Sequence, residues 1–201
     1  MKTVLYVHGK GGSAEESEHY KSLFPGACVL GLDYRTNTPR ETGGEIRAAV
    51  EALSRDSDGI ILIANSIGAF FSMHAGLDPL VEKAYFISPI VDMEKLIADM
   101  LGRAGVTEAE LEEKGKIQTA FGEELSWDYL SYVRSHPVKW KVPTHILYGS
   151  ADTLTSPETI RAFAKAHGAT LTVMEGGEHW FHTEEQMCFL DAWIRRYEEE
   201  E

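Results

Sequence analysis

Three residues whose types could together open an acyl bond lie far apart in this chain, yet in the same kind of setting. Ser66 stands in Ala64-Asn65-Ser66-Ile67-Gly68, directly after the Ile/Leu-rich run 59–64. Asp152 stands in Gly149-Ser150-Ala151-Asp152, after the apolar run 142–148. His179 stands in Gly176-Gly177-Glu178-His179-Trp180, after the run 169–175. A serine hydroxyl is a weak nucleophile until a neighbouring base takes its proton, and a histidine base works best when a third group fixes its tautomer. A serine or aspartate taken at random is most often a cap or a surface group. What singles these out is that each follows a strand-like run.

Such residues need elements to bring them together. Apolar runs at 3–8, 27–32, 59–64, 83–88, 142–148 and 169–175 read as strands, and the third is continuous enough to be buried on both faces. Helical stretches separate them: 14–24, 42–55 with Ile46, Ala49, Val50 and Leu53 at helical spacing, 67–77, 157–167 behind Ser156 and Pro157, and 183–197 opened by Thr183 with Gln186 three residues on. Alternating strands and helices predict a three-layer α/β/α sandwich around a mainly parallel sheet of about six strands. Ligands of such sheets bind at the carboxyl ends of the strands, which is where Ser66, Asp152 and His179 fall. The stretch 89–141 breaks the alternation. It carries helical pieces at 92–103 and 108–116 and the aromatic residues Phe121, Trp127, Tyr129 and Tyr132. A connection of this length is expected to be a lid or binding element, against the plainer reading of a helical insertion that covers the sheet. The chain is thus expected to be one domain, 1–201, with a cap insertion at about 90–140.

The segment around Ser66 resembles the nucleophile elbow of the α/β-hydrolase fold family, G-x-S-x-G between strand and helix, with Ala64 in place of the first glycine. The Asp152 and His179 loops resemble the family's acid and base loops, and the order Ser, Asp, His is the order this fold uses. His8-Gly9-Lys10-Gly11-Gly12, after the first strand, resembles its oxyanion loop. The resemblance covers nearly the whole chain. It implies Ser66 as nucleophile, His179 as general base and Asp152 as the orienting acid, with Asp92 after the fourth strand as rival for the acid. It implies backbone N–H donors to the oxyanion from Lys10 (or Gly11) and Ile67, with His8, Gly9 and Gly11 ordering the loop. The insertion sits where the family places its cap. The implied activity is hydrolysis of a small or medium carboxylic ester or related acyl compound, with thioester, amide and peptide substrates also open, and no cofactor.

The formal charge of −13 and the pI near 5.0 disfavour nucleic acid or an anionic membrane as partner, since both need a basic face. The expected partner is a small acyl compound. Cys28 and Cys188 are read as two buried thiols. The chain opens directly into a strand, so the expected location is the cytoplasm. The acidic tail Glu198 to Glu201 is expected to fray. His19, His136, His145 and His167 are scattered, and none forms a metal-ligand spacing. His182 and His74 are read as structural. Arg35 is read as solvated or as a reader of a substrate carboxylate. Two other function classes fit parts of the sequence. Gly9 to Ala14 matches G-x-G-x-x-G/A with Asp33 about twenty residues on, as in an NAD(P)-dependent oxidoreductase, but that leaves Ser66, Asp152 and His179 unexplained. A binding or regulatory module on a hydrolase fold is the other, because fold does not guarantee activity.

Overall fold

The computed structural model describes residues 1–199. The chain divides into two compact units, Met1–Val91 with Lys139–Glu201, and Asp92–Val138.

The first unit is built on a six-stranded, wholly parallel sheet. Its strands are β1 (Thr3–Val7), β2 (Cys28–Leu32), β3 (Ile60–Asn65), β4 (Lys83–Ile87), β7 (Thr144–Gly149) and β8 (Thr170–Met174), in the order β2-β1-β3-β4-β7-β8. Apolar runs become strands here because both faces are covered. On one face Val4, Tyr6, Ile61, Ile63, Tyr85, Ile87 and Leu147 form one core with Tyr20, Leu23 and Phe24 and with Leu190, Trp193 and Ile194. The intervening residues Leu5, Leu62, Ala84, Phe86 and Ile146 are equally buried, as the two-residue period of a strand requires. The chain moves outward from β1 to β2, then returns to the other side of β1 to lay down β3. The loops after β1 and β3 therefore diverge at a topological switch point.

The helices carry their own start signals. α1 (Pro39–Leu53) has Thr38 accepting the Glu41 N–H, with proline in its first turn. α2 (Ile67–Met73) follows Ser66 and lies against β1 and β3. α6 (Pro157–His167) is capped by Ser156, and α7 (Glu184–Glu199) opens with Gln186 N–H on Thr183 Oγ1. Two expectations change. The stretch after Ser13 is a 3-10 helix, Ala14–Ser22, rather than an α-helix. Its buried residues Ser17 and Tyr20, and the capping Leu23 that follows it, recur every three positions, the period of a 3-10 turn. The helix after Ser66 ends at Met73 and not near Leu77, because Gly76 turns left-handed (φ 65°).

The tail also differs from expectation. Glu198 and Glu199 belong to α7. The Glu198 carboxylate pairs with the buried Lys83 ammonium at 2.8 Å and accepts from Tyr85 Oη at 2.5 Å. A buried cation needs that partner. Glu200 and Glu201 lie outside the described residues. Cys28 is half-buried, but Cys188 is exposed, on the outer face of α7, and both are free thiols. No helix of the described residues is long and apolar enough to cross a membrane.

The second unit contains α3 (Met93–Ala104), α4 (Glu108–Lys114), a short antiparallel hairpin of β5 (Lys116–Gln118) and β6 (Glu124–Ser126), and α5 (Trp127–Ser135). Met93, Ile97, Leu101, Leu111, Leu125 and Leu130 are its buried residues. Arg134 joins α3 and α4 to α5 through Glu94 at 2.7 Å and through both oxygens of Glu108.

Candidate active site

Ser66 sits between β3 and α2 with φ 52° and ψ −120°, a region that non-glycine residues occupy only when their surroundings hold them there. Its N–H donates to Ile87 O at 3.0 Å, and its carbonyl accepts from Ile90 N at 3.1 Å and Ala69 N at 3.2 Å. The turn is tight because α2 starts against the end of β1. A methyl group on Gly68 would come within 2.5 Å of His8 O and 2.7 Å of Val7 O, both backbone atoms. At the first position of the elbow the smaller demand is met by Ala64, which is fully buried.

Asp152 lies in the loop after β7. Its side chain is wholly buried. One carboxylate oxygen accepts the N–H groups of Leu154 at 2.7 Å and Thr155 at 3.2 Å, and the other is 2.7 Å from His179 Nδ1. Since the carboxylate can only accept, Nδ1 carries the proton and donates. Nε2 of the neutral ring is then an acceptor, and it lies 2.8 Å from Ser66 Oγ. In this geometry the imidazole can take the serine proton while Asp152 holds its orientation and stabilises the resulting imidazolium. The acid and base loops are stitched together. Ala151 N donates to Gly177 O at 2.9 Å and Gly176 N to Ser150 Oγ at 2.8 Å. A methyl group on Gly149 would stand 2.2 Å from Gly177 O, so glycine is what allows the approach.

The loop after β1 folds on itself through Gly12 N to Gly9 O at 3.1 Å, with Gly11 left-handed (φ 78°). Gly9 runs close beside the serine: a Cβ there would stand 3.1 Å from Ser66 Cβ. Lys10 is exposed, and Ile67 opens α2. His8 is buried, with Nδ1 2.8 Å from Gly9 O. Two supports were not anticipated from the sequence. Tyr34, the second residue of the loop leaving β2, stacks on the His8 ring (4.2 Å between centroids, 8° between planes) and donates its hydroxyl to His8 O at 2.9 Å. Burial and the nearby Glu16 carboxylate push the Tyr34 phenol up to about 12. Glu16 accepts from Ser13 N at 3.3 Å and from the Tyr6 hydroxyl. The Ser-x-x-Glu spacing from Ser13 to Glu16 is the local signal that could have found it. Burial is the main reason the Tyr6 and Tyr20 phenols are held well above their ordinary value.

The other named residues fall elsewhere. Asp92 caps α3, accepting Lys95 N–H at 2.9 Å. His74 packs on Phe70, with its Nδ1 3.0 Å from Phe70 O. His182 holds Trp180 O at 2.7 Å. Arg35 is exposed, and its N–H donates to Glu45. Trp140 lies against Phe86 in the first unit, with its indole N–H on Thr144 Oγ1 at 2.7 Å. The dinucleotide reading of Gly9 to Ala14 meets two obstacles. A 3-10 helix follows instead of an α-helix, and a Glu16 oxygen lies 2.6 Å from where a Cβ on Gly12 would stand. A carboxylate there would repel a pyrophosphate. Among the described residues no group of three or more His, Cys, Asp and Glu is arranged to hold a metal ion.

No family model matches the chain, and no curated protein matches it in sequence. Solved structures do match in three dimensions. Est1E from Butyrivibrio proteoclasticus, in its complex with ferulic acid, superposes with a TM-score of 0.78 at 17% identity, covering 100% of this chain and 89% of its own. Mouse alpha/beta hydrolase domain-containing protein 10 gives 0.70 at 18% identity, covering 98% and 90%. The esterase Pf2001 of Pyrococcus furiosus gives 0.63 at 20% identity, covering 98% and 79%. The parallel sheet, its strand order and these likenesses give the chain the α/β-hydrolase fold.

Proposed function

We propose that this protein is a serine hydrolase that cleaves a small or medium carboxylic ester, or a related acyl compound, through an acyl-enzyme on Ser66. The observation that carries this reading is the continuous line Ser66 Oγ, His179 Nε2, His179 Nδ1, Asp152 Oδ2, with hydrogen bonds of 2.8 and 2.7 Å. Ser66 attacks the acyl carbonyl as His179 takes its proton. The backbone N–H groups of Lys10 and Ile67 face the oxyanion that forms, a contribution on the order of several kcal/mol to the barrier. The tetrahedral intermediate collapses, and the proton on Nε2 passes to the departing oxygen. Water, activated by the same imidazole, then releases the acid and restores Ser66. Asp152 keeps its charge throughout and holds the ring. The close packing of Gly9 on Ser66 and of Gly68 on β1 supports the assignment of the two oxyanion donors, because it sets both loops beside the hydroxyl. The name of one structural neighbour, the esterase Pf2001 of Pyrococcus furiosus, agrees with this reading.

The test is covalent labelling. Purified protein is treated with a fluorophosphonate and its intact mass is read, with Ser66→Ala alongside. One adduct in the wild type and none in the variant is the expected result. A folded wild type that takes no adduct refutes the catalytic reading and favours a binding role for the fold. An adduct that survives Ser66→Ala places the nucleophile elsewhere.

A further inference from the structure

Large apolar side chains left in solvent draw attention when they stand beside residues that could do chemistry. The described residues that expose such side chains are Met1, Leu30, Leu154, Val173 and Trp180. Met1 starts the chain, and Leu30 and Val173 lie on the two edge strands, β2 and β8. Trp180 and Leu154 are different. Trp180 directly follows His179 and is 66% exposed; Leu154 is two residues from Asp152 and 42% exposed.

Both stand on backbone that is hydrogen-bonded in place. The Trp180 ring stacks on His182, 4.3 Å between centroids and 16° between planes. His182 Nδ1 lies 2.7 Å from Trp180 O, while its own N–H donates to the buried Gln186 side chain at 3.0 Å. The Leu154 N–H is fixed on Asp152 Oδ1 at 2.7 Å. The same bonds that hold the base and acid loops thus hold two exposed apolar groups next to them. A rigid exposed indole is a preorganised surface, and preorganisation is what lets a small contact contribute to binding.

Resting on the serine-hydrolase reading above, we propose that Trp180 and Leu154 form the leaving-group subsite, and that the preferred substrates are esters of flat apolar or aromatic alcohols. The side follows from the proton's path. In acylation the bond from Ser66 Oγ to the acyl carbon forms and the bond from that carbon to the alcohol oxygen breaks. The proton taken from Ser66 passes from His179 Nε2 to that oxygen. The departing alcohol must therefore lie against His179, on the loop that presents Trp180. The acyl group stays on Ser66, and Trp180 acts before deacylation, not in it.

The experiment compares benzyl acetate with methyl acetate, esters of one acid whose alcohols are similarly basic, in wild type, Trp180→Ala, Trp180→Phe and Leu154→Ala. The expected result is that Trp180→Ala lowers kcat/KM for benzyl acetate about tenfold and leaves methyl acetate unchanged, the discrimination an apolar contact supplies. Trp180→Phe restores most of the preference, Leu154→Ala removes a smaller share, and acetyl-enzyme hydrolysis keeps its rate. An equal loss on both esters, or no change in their ratio, overturns the proposal. A parallel measurement does not need turnover. In Ser66→Ala, benzyl acetate should quench tryptophan fluorescence saturably, and the quench should vanish when Trp180→Phe is added. Quenching without fluorophosphonate labelling would refute the catalytic reading and with it the leaving-group role, leaving Trp180 only as a surface that binds aromatic groups. Labelling and turnover with neither quench nor selectivity would refute the subsite alone.

Discussion

Asp152→Asn separates orientation from mere packing, because asparagine has nearly the same shape and can keep part of the bonding. In the wild type one carboxylate oxygen accepts from Leu154 N and Thr155 N, and the other accepts from His179 Nδ1. The amide oxygen can serve only one of these two places. The two backbone donors fix it on the Leu154 and Thr155 side, which turns the amide NH2 toward His179. Nδ1 then becomes the acceptor, and the ring proton moves to Nε2, 2.8 Å from Ser66 Oγ. A protonated Nε2 cannot take the serine proton. The expected loss in kcat/KM for an ester is about 10,000-fold, or about 5 kcal/mol of transition-state stabilisation. The fold should survive, since every backbone donor keeps an acceptor, and the stability change should stay within about 1–2 kcal/mol. Ester turnover and the rate of fluorophosphonate labelling read the first quantity, and thermal melting reads the second. A folded Asp152→Asn protein that keeps a tenth of wild-type turnover would refute the orienting role.

Tyr34→Phe keeps the ring stacked on His8 but removes the donor to His8 O, so it should destabilise by about 1–3 kcal/mol and lower kcat more than it raises KM. A melt indistinguishable from wild type would mean that the 2.9 Å bond contributes nothing. Ser88, with φ 44°, a fully buried side chain and an Oγ without a partner among the described residues, gives the opposite sign. Ser88→Gly should be neutral or stabilising by up to about 1 kcal/mol, because relief of the left-handed strain and of the unpaired hydroxyl offsets the flexibility added to the unfolded chain; a clear loss in chemical denaturation would refute this. Glu45 is held below its ordinary value of 4.5, first by the Thr36 hydroxyl and then by the N–H groups of Arg35 and Thr36. A lowered carboxyl stabilises the fold above its unfolded value, and that share is lost as pH falls through the folded value. Melting curves from pH 6 downward should therefore fall more steeply for wild type than for Glu45→Gln, and parallel curves would show that the carboxylate makes no net contribution.

How much of this could be read from the sequence depended on whether the signal was local. The strand ends that carry Ser66, Asp152 and His179 were visible because parallel strands buried on both faces appear as continuous apolar runs. Their shared sheet end followed from the alternation alone. Tyr34 was not visible. Its contact with His8, 26 residues earlier, exists because β2 lies beside β1, and strand order leaves no local mark. Trp180 was passed over because a single aromatic residue in a loop has no periodicity to expose it. The hairpin of β5 and β6 and the helix α5 were hidden inside an aromatic stretch whose strands are three residues each, too short for alternation to register. The acidic tail was misread for a related reason: Glu198 finds Lys83 and Tyr85 only across the fold.

The strain at Ser66 is supported by a second strained residue rather than by the elbow alone. A backbone at φ 52° and ψ −120° costs about 1–3 kcal/mol in a non-glycine residue, and an unconstrained turn would relax. Here the N–H of Ser66 is fixed on Ile87 O and its carbonyl on Ile90 N, the residues that bracket Ser88 and Pro89. The left-handed turn at Ser88 breaks the run of β4 between those two contacts. Ser88 N is itself fixed on Leu147 O in β7, and Pro89 O accepts the Thr155 hydroxyl at 3.3 Å. The Thr155 N–H, in turn, holds Asp152. The elbow, the end of β4 and the acid loop therefore form one hydrogen-bonded sequence. Flattening Ser66 would give up the bonds to Ile87 and Ile90, and shifting Ser88 would also disturb the loop that orients His179. That coupling accounts for a serine held in an unfavourable conformation while its hydroxyl stays within 2.8 Å of the imidazole.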